Sequence, residues 1–347
     1  TSSSVLNIAD ASSLNTYQYH CVVSSCSSYN VTSDTVVLTF SPTNIWLGYS
    51  TDWNNASNWL CGTPDNTRDV TIPTIPLGGN FPLVFTNGIS QCRDITIESG
   101  AGINLSSLSD ISVYGDWNNG GSVDIGDGKV IFGGTSQIVT GTTTFGHITV
   151  NSGTSLTLMS SGQKVKSIVL CDGTINSNGN LTLLSTATGT ALISGSGTGT
   201  INGTVTQQRF IPASKAKGYK HFSTAFSNST VGQFANFMTL YLGPQSTNPF
   251  PTLFKFSEAT ATTYFSNGWV AAAGVGQVNT PIGIAEGYTA QFGNGVGSDV
   301  TLYLYGTVNN GNISINITRQ NPGSGKGDGW NLVGNPYTAP LSSRKLF

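Results

Sequence analysis

"CRDITIESGAGINL", residues 92–105, and "FGHITVNSGTSLTL", residues 145–158, share one text at an offset of 53 residues. Ile95 matches Ile148, Ile97 matches Val150, Gly100 matches Gly153, Ile103 matches Leu156 and Leu105 matches Leu158. Each copy is two short alternating runs joined by a small-residue corner, the pattern of strands with one buried face. Between the copies lie further alternating pairs, Ile111 with Val113, Val123 with Ile125 and Val130 with Phe132, and a weaker one at Ile138. That makes about six strand faces per repeat, so the spacing predicts two turns of a three-sided coil at roughly 26 residues per turn. One turn cannot bury its inward Ile, Val and Leu alone, but turns stacked at about 4.8 Å close a continuous apolar column. The centre of the chain is therefore expected to be a right-handed parallel β-solenoid over residues 92–205, ending in the smaller-residue text "INSNGNLTLLSTATGTALISGSGTGTINGTV".

Composition points the same way. Only 9% of the 347 residues are charged and 43 are Gly, against about a quarter charged in ordinary globular proteins. Gly, Ser, Thr and Asn are poor in helix interiors, whereas Thr, Val, Ile and aromatics suit pleated strands, so the class is all-β. The formal net charge is -2, and no cluster of Lys and Arg is read that could displace counterions from nucleic acid. No apolar run approaches the roughly 20 residues that span a bilayer. No charged and apolar leader opens the chain, so either a signal peptide has been removed or this is an internal piece of something larger.

Outward from the solenoid, residues 1–43 carry the alternation Tyr17-Gln-Tyr-His-Cys-Val-Val and then Thr35-Val-Val-Leu-Thr-Phe40. This predicts a hairpin with one buried face, like the closing strands of an immunoglobulin-like domain, where a Tyr stands two residues before a Cys, here Tyr19 and Cys21. Residues 44–91 hold Trp46, Trp53 and Trp59, expected to plug the near end of the column, because an open end invites edge-to-edge association. From 206 to 347 larger aromatics return and an antiparallel β-sandwich is expected, with a hairpin at Asn310-Gly311 and a short helix near Val231–Leu240.

Candidate chemistry is sparse. Trp46, Trp53 and Trp59 could alternatively stack sugar rings. A bond between Cys61 and Cys92 would close a loop of about 30 residues, worth roughly 3.5–4 kcal/mol in the chain-entropy model. Cys21 and Cys26 could pair locally, and Cys171 reads as a buried hydrophobe in the solenoid wall. The three histidines, His20, His147 and His221, fall in three modules, and no convergent catalytic set is read from them. Asp110, Asp116, Asp124 and Asp127 form the densest acidic stretch. Corner hydrogen bonding is the first reading for them, with Asp116, Asp124 and Asp127 as candidate Ca²⁺ ligands the second. Trp330 and Leu332 read as core, and Asn335-Pro336 as a turn.

Several of these segments carry a resemblance. Trp46-x-Gly48, Asp52-Trp53-Asn54, Asn58-Trp59, Cys61-Gly62 and Pro64 are followed by the strand Asp69-Val-Thr-Ile-Pro73, by Cys92 and by "GDWNNGGSV" from Gly115. Further on come Arg209-Phe-Ile-Pro-Ala213, Glu286-Gly-Tyr288 and Gly329-Trp-Asn-Leu-Val-Gly-Asn-Pro-Tyr337. Together these resemble large adhesin and gliding-associated surface proteins of the Bacteroidetes that are exported by the type IX secretion system. The resemblance implies an opening Trp/Cys motif, a second cysteine partner at Cys92 and a C-terminal sandwich module. It also implies export partners in the secretion machinery, an extracellular or cell-surface location and a longer parent polypeptide. Asp34-Thr35-Val36 is similar to that phylum's O-glycosylation site, which would place the sugar on Thr35.

The expectation is a non-catalytic structural or adhesion segment with no cofactor and no membrane span, meeting surface glycans or other surface proteins. The alternatives are a polysaccharide-binding module or β-helix polysaccharide-degrading enzyme, and a secretion substrate whose activity lies elsewhere in the polypeptide.

Overall fold

Three walls of parallel strands wind around one column in a computed structural model that describes residues 17–24, 30–37, 43–86, 88–160, 162–261, 263–292, 297–319 and 329–342. Wall one stacks Asp69–Ile72, Ile95–Ile97, the first half of Trp117–Asp124, the first half of Ser136–Phe145, Ser155–Leu158, Thr174–Asn176 and Thr200–Asn202. Wall two stacks Leu83–Val84, Asn104–Leu105, the second halves of the two long strands, Gln163–Val165, Leu181–Leu183 and the start of Thr204–Ile211. Wall three has six strands: Ser90–Cys92, Asp110–Val113, Lys129–Phe132, His147–Val150, Ile168–Cys171 and Leu192–Ile193. The three-sided parallel β-solenoid is thus formed, with one wall-three strand per turn.

Two details differ from the sequence expectation. On wall one the chain returns from Ile95 to Trp117, Val139 and Leu158, steps of 22, 22 and 19 residues, so these central turns are shorter than 26, a length that the wall shows at its two ends, Asn44 to Val70 and Ile175 to Ile201. The repeat that revealed the coil also does not map a wall onto itself. Ile95 lies on wall one, whereas Ile148 lies on wall three. What the two texts share is a corner: Ile95–Leu105 passes from wall one to wall two, and Ile148–Leu158 from wall three to wall one. Gly100 at φ +83° and Gly153 at φ +82° make the same left-handed bend at the two corners, a conformation that costs a residue with a Cβ but not glycine. Every strand–corner–strand unit obeys the same inward alternation, so textual similarity reports the corner type and leaves the wall open.

Inward residues stack in register. Ile111, Val130, Ile148 and Val169 form one file and Val113, Phe132, Val150 and Cys171 the next, all nearly or wholly buried. Aromatics enter the column as well: Trp117, Phe132 and Phe145 are fully buried and meet with ring centroids 5.4 and 6.3 Å apart. Corners are tied by side chains repeating from turn to turn. Asp69 Oδ1 accepts from Asp94 N at 3.3 Å, Asp94 Oδ1 from Asp116 N at 2.8 Å and Asp116 Oδ1 from Ile138 N at 2.8 Å. Gly115 is required beside this ladder, since a Cβ there would lie 1.8 Å from Asp94 Oδ1.

The coil begins before Cys92. Thr43–Ile45 pairs in parallel with Asp69–Ile72, and Asp52 bridges to Leu83, so the Trp-rich segment is itself an incomplete first turn. At the far end Thr204–Ile211 continues wall two and then pairs antiparallel with Val300–Val308, which pairs with Phe226–Ser227. The second sheet of the sandwich orders Tyr219–Phe222, Tyr288–Gln291, Leu253–Phe256 and Trp269–Ala271. Phe222, Phe234, Phe237 and Phe292 cluster in the core of this module. Thr338 closes wall three: its hydroxyl accepts from Ile193 N at 2.9 Å and donates to Ile193 O at 3.3 Å.

Three local expectations are modified. Val22–Ser24 pairs with Asn30–Thr32 and Gln18–Tyr19 with Val36–Val37, so the N-terminal hairpin forms, but its valines are exposed rather than buried on one side. At Asn310-Gly311 only Gly311 has positive φ, and the described residues after it form no strand. A two-residue type I′ hairpin needs positive φ at both positions. The expected helix near Val231 is a 3₁₀ segment, Val231–Asn236.

Candidate functional site

The tryptophan cluster is interior. Trp46 and Trp53 are 0% exposed and Trp59 3%, so none offers a face to a sugar. Trp59 sits edge-on to both, with centroids 4.9 Å from Trp46 and 4.7 Å from Trp53, an arrangement favoured by the ring quadrupole. Trp59 Nε1 donates to Trp53 O at 2.7 Å and Trp46 Nε1 to Asn80 O at 2.6 Å. Asn58, also buried, ties the turn by accepting from Ser50 N at 2.7 Å and donating to Asp52 O at 2.8 Å. The cluster therefore plugs the column, and the platform alternative at Trp46, Trp53 and Trp59 is corrected.

The Cys61–Cys92 bond is absent. Cys61 is an exposed free thiol, whereas Cys92 faces inward from wall three and is fully buried and free. The strand alternation that puts Cys92 into the column takes its sulfur away from the surface loop of Cys61. Burial, with Asp94 and Asp69 nearby, pushes the Cys92 thiol well above its ordinary value, which keeps it protonated and unreactive. Cys171 is likewise buried and free, its thiol pushed up to about 11 by burial first and then by Asp172. Cys21 is exposed and free, and the expected pairing with Cys26 lies outside the described residues. Thr35 is on the exposed hairpin.

The acidic residues do not assemble as calcium ligands. Asp116 belongs to the corner ladder, while Asp124 and Asp127 share Lys166 Nζ at 2.9 and 3.1 Å. Asp110 pairs with Lys129 at 3.0 Å. Among the described residues no group of three His, Cys, Asp or Glu is placed to hold a metal ion. Burial alone would lower the Lys166 pKa, but the bonds to Asp124 and Asp127 outweigh it and raise the value. His147, beside Lys129 in register, is lowered by burial and by that lysine, partly offset by Asp127 and Asp110.

Two clefts in the sandwich are the features the sequence reading missed. The first lies on the outer face of the second sheet, about 460 Å³, lined by Tyr219, His221, Gln245, Phe250, Phe254 and Trp269 with Ser266 and Thr289. Tyr219 and Phe250 are half or more exposed, the His221 ring stacks on Trp269 with an interplanar angle of 17°, and His221 Nδ1 meets Thr289 Oγ1 at 2.7 Å. Period-two alternation puts Tyr219, His221, Phe254 and Trp269 on one face of three strands. That text is visible in "GYKHF", "TLFKF" and "NGWVA", but only strand pairing shows that the rings converge. Trp330, expected in the core, is 63% exposed and packs edge-on to Phe265 at 5.4 Å.

The second cleft, about 440 Å³, opens between the two sheets. Gln207, Arg209, Ile211, Leu302 and Leu304 line it from the sheet shared with the solenoid, Lys220 and Phe222 from the second sheet, and Lys215 from the segment between them. No Lys/Arg cluster was read from the sequence, yet Arg209, Lys215, Lys217 and Lys220 fall within twelve residues of a chain with 14 basic residues, and three of the four meet here.

Fold and clefts together define a three-walled parallel β-solenoid that carries an antiparallel sandwich whose surface clefts include these two. The chain belongs to the family described as Domain of unknown function (DUF8693), whose model matches residues 117–347. No curated protein and no solved structure matches the chain. Among the described residues no helix is long and apolar enough to cross a membrane.

Proposed function

We propose that the chain is a non-catalytic, extracellular structural and adhesive segment of a bacterial surface protein, in which the solenoid spaces and the sandwich presents. The supporting observation is the unbroken path of ten paired strands from Thr43–Ile45 through the coil to Phe226–Ser227. Sandwich and solenoid share a sheet, so the junction resists bending by the same hydrogen bonds as the wall itself. At about 4.8 Å per turn the coil supplies a spacer of roughly 25–30 Å. With few charges, its stiffness is expected to be insensitive to salt. Scattering should report the same elongated body at 20 mM and 500 mM NaCl, and binding of the purified chain to surface polysaccharides should occur without release of reducing ends. Cleavage of those polysaccharides would overturn the reading. Export by the type IX route is part of the proposal, and it fails if the full polypeptide still reaches the surface in cells lacking that machinery.

A second reading, a polysaccharide-binding module, is favoured by the aromatic cleft. Its eight lining residues include no Asp, Glu, Lys or Arg, and exposed rings with amide and hydroxyl groups at their edges suit the C–H faces and hydroxyls of a neutral sugar. Trp269→Ala should abolish binding of neutral glucans if this reading holds and leave it intact if it does not.

A further inference from the structure

We propose that the cleft between the sandwich sheets binds a carboxylate-bearing sugar residue, as found in uronic-acid polysaccharides. The inference rests on the surface-binding reading above and adds a second, charge-selective site to it. The argument starts at the end of the column. Phe145, Val165, Leu183 and Gln207 stack in register on wall two, so Gln207 occupies the place of the next aliphatic residue.

Its Nε2 is buried and has no hydrogen-bond partner among the described residues. The other two inward glutamines differ. Gln137 donates to Val113 O at 3.0 Å and to Gly115 O, and Gln163 to Gly141 O and to Ser160 O at 3.3 Å. A buried amide N–H without an acceptor carries a desolvation penalty that a ligand oxygen would relieve.

Charge supplies the rest. Arg209 follows Gln207 on the same strand face and lies opposite Leu302, which is 3% exposed, so this face turns toward the sandwich interior. Lys220 lies opposite Ala290 and two pairs from Phe222, on the inward face of the other sheet. Arg209, Lys215 and Lys220 form no ion pair among the described residues, whereas Lys129, Lys166 and Arg93 all do. A cleft with three cations that have no ion pair among the described residues, a buried amide donor without a partner and an apolar lining of Phe222, Leu302 and Leu304 matches an anion on a body with an apolar face.

The planar guanidinium suits a carboxylate, which accepts two parallel N–H bonds. The Gln207 side chain can then turn its unpartnered amide toward a ring or hydroxyl oxygen while the C–H face of the pyranose rests on the apolar lining. The competing role for Lys220 is protection of an edge strand, since Tyr219–Phe222 is outermost in its sheet and inward-pointing charges discourage strand addition.

Calorimetric titration of the whole chain with oligogalacturonate, its neutral methyl ester, acetate and inorganic phosphate tests the proposal. The acid should bind, the ester should bind at least about tenfold more weakly, and Arg209→Gln should cost about tenfold or more, the scale of a lost charged hydrogen bond. Gln207→Leu should weaken binding less, and Lys129→Gln, on the solenoid wall, should change nothing. Equal affinity for acid and ester overturns it, as does phosphate or acetate binding as tightly as the sugar acid. So does a Lys220→Gln variant that self-associates while binding normally, which is the edge-protection result. Unaltered acid binding in Arg209→Gln sinks this site alone. No binding of any surface polysaccharide sinks the adhesive reading as well.

Discussion

Trp59→Ala separates a plug from a ligand platform, and the structure sets its size. Trp59 is 3% exposed, touches Trp46 and Trp53 edge-on, and donates its indole N–H to Trp53 O. Truncating a buried aromatic to Ala costs about 3–5 kcal/mol through lost transfer energy and the cavity left behind. The upper half of that range is expected, because two ring pairs and one hydrogen bond disappear together. In a solenoid each turn contacts only its neighbours, so the loss should be local. Hydrogen exchange read by peptide mass spectrometry should show protection falling at Val70 and Ile72, on the first complete turn, while Val150 and Val169 keep theirs. Trp53→Phe, which removes an indole N–H that is buried with no partner among the described residues, should cost less than the about 3–5 kcal/mol of a truncation to Ala, because a ring still fills most of the space. A Trp59→Ala chain that unfolds within 1 kcal/mol of the parent but loses polysaccharide binding would refute the plug, and uniform loss of protection along the rod would refute the nearest-neighbour picture.

Thiol labelling of the native chain should modify Cys21 and Cys61 and spare Cys92 and Cys171 until the chain is unfolded; a native mass two hydrogens lighter at Cys61 and Cys92 would restore the disulfide. The lowered pKa of His147 means the unfolded chain binds its proton more readily. Stability should therefore fall as pH drops below about 6.5, the ordinary histidine value, and should stop falling once pH passes below the folded-state pKa. His147→Asn should flatten that segment of the stability curve, and an unchanged slope refutes the assignment. Thr338→Val leaves the N–H and C=O of Ile193 without their partner and is expected to cost about 1–3 kcal/mol. Denaturant titration measures the loss, and a neutral effect would show that wall three does not depend on this residue for its closure.

Much of the fold was legible because alternation and corner glycines are local properties. Ile95, Ile97, Gly100 and Leu105 predict two inward faces and a bend whatever surrounds them. The offset between copies misled on turn length for the same reason: a corner looks alike wherever it falls. The Trp plug was readable because three large rings in a small-residue chain need a large space to fill. The two clefts were not, since Tyr219, Phe254 and Trp269 sit on three separate strands and only the pairing register faces them together. Arg209 and Lys220 were hidden by proximity in sequence, which does not say that they rise from opposite sheets toward one gap.

The amino-acid order alone determined that strands would form, which side chains would face inward, and that charge would be scarce, because these follow from a period of two and from residue chemistry. Which strand lies above which, whether Cys92 points to Cys61 or into the column, and where the end of the column opens to solvent were decided only in three dimensions. Those outcomes depend on hydrogen-bond register between residues 18–26 positions apart in the coil and 66–103 apart where Thr204–Ile211 and Tyr219–Phe222 meet their antiparallel partners. No local pattern carries that distance.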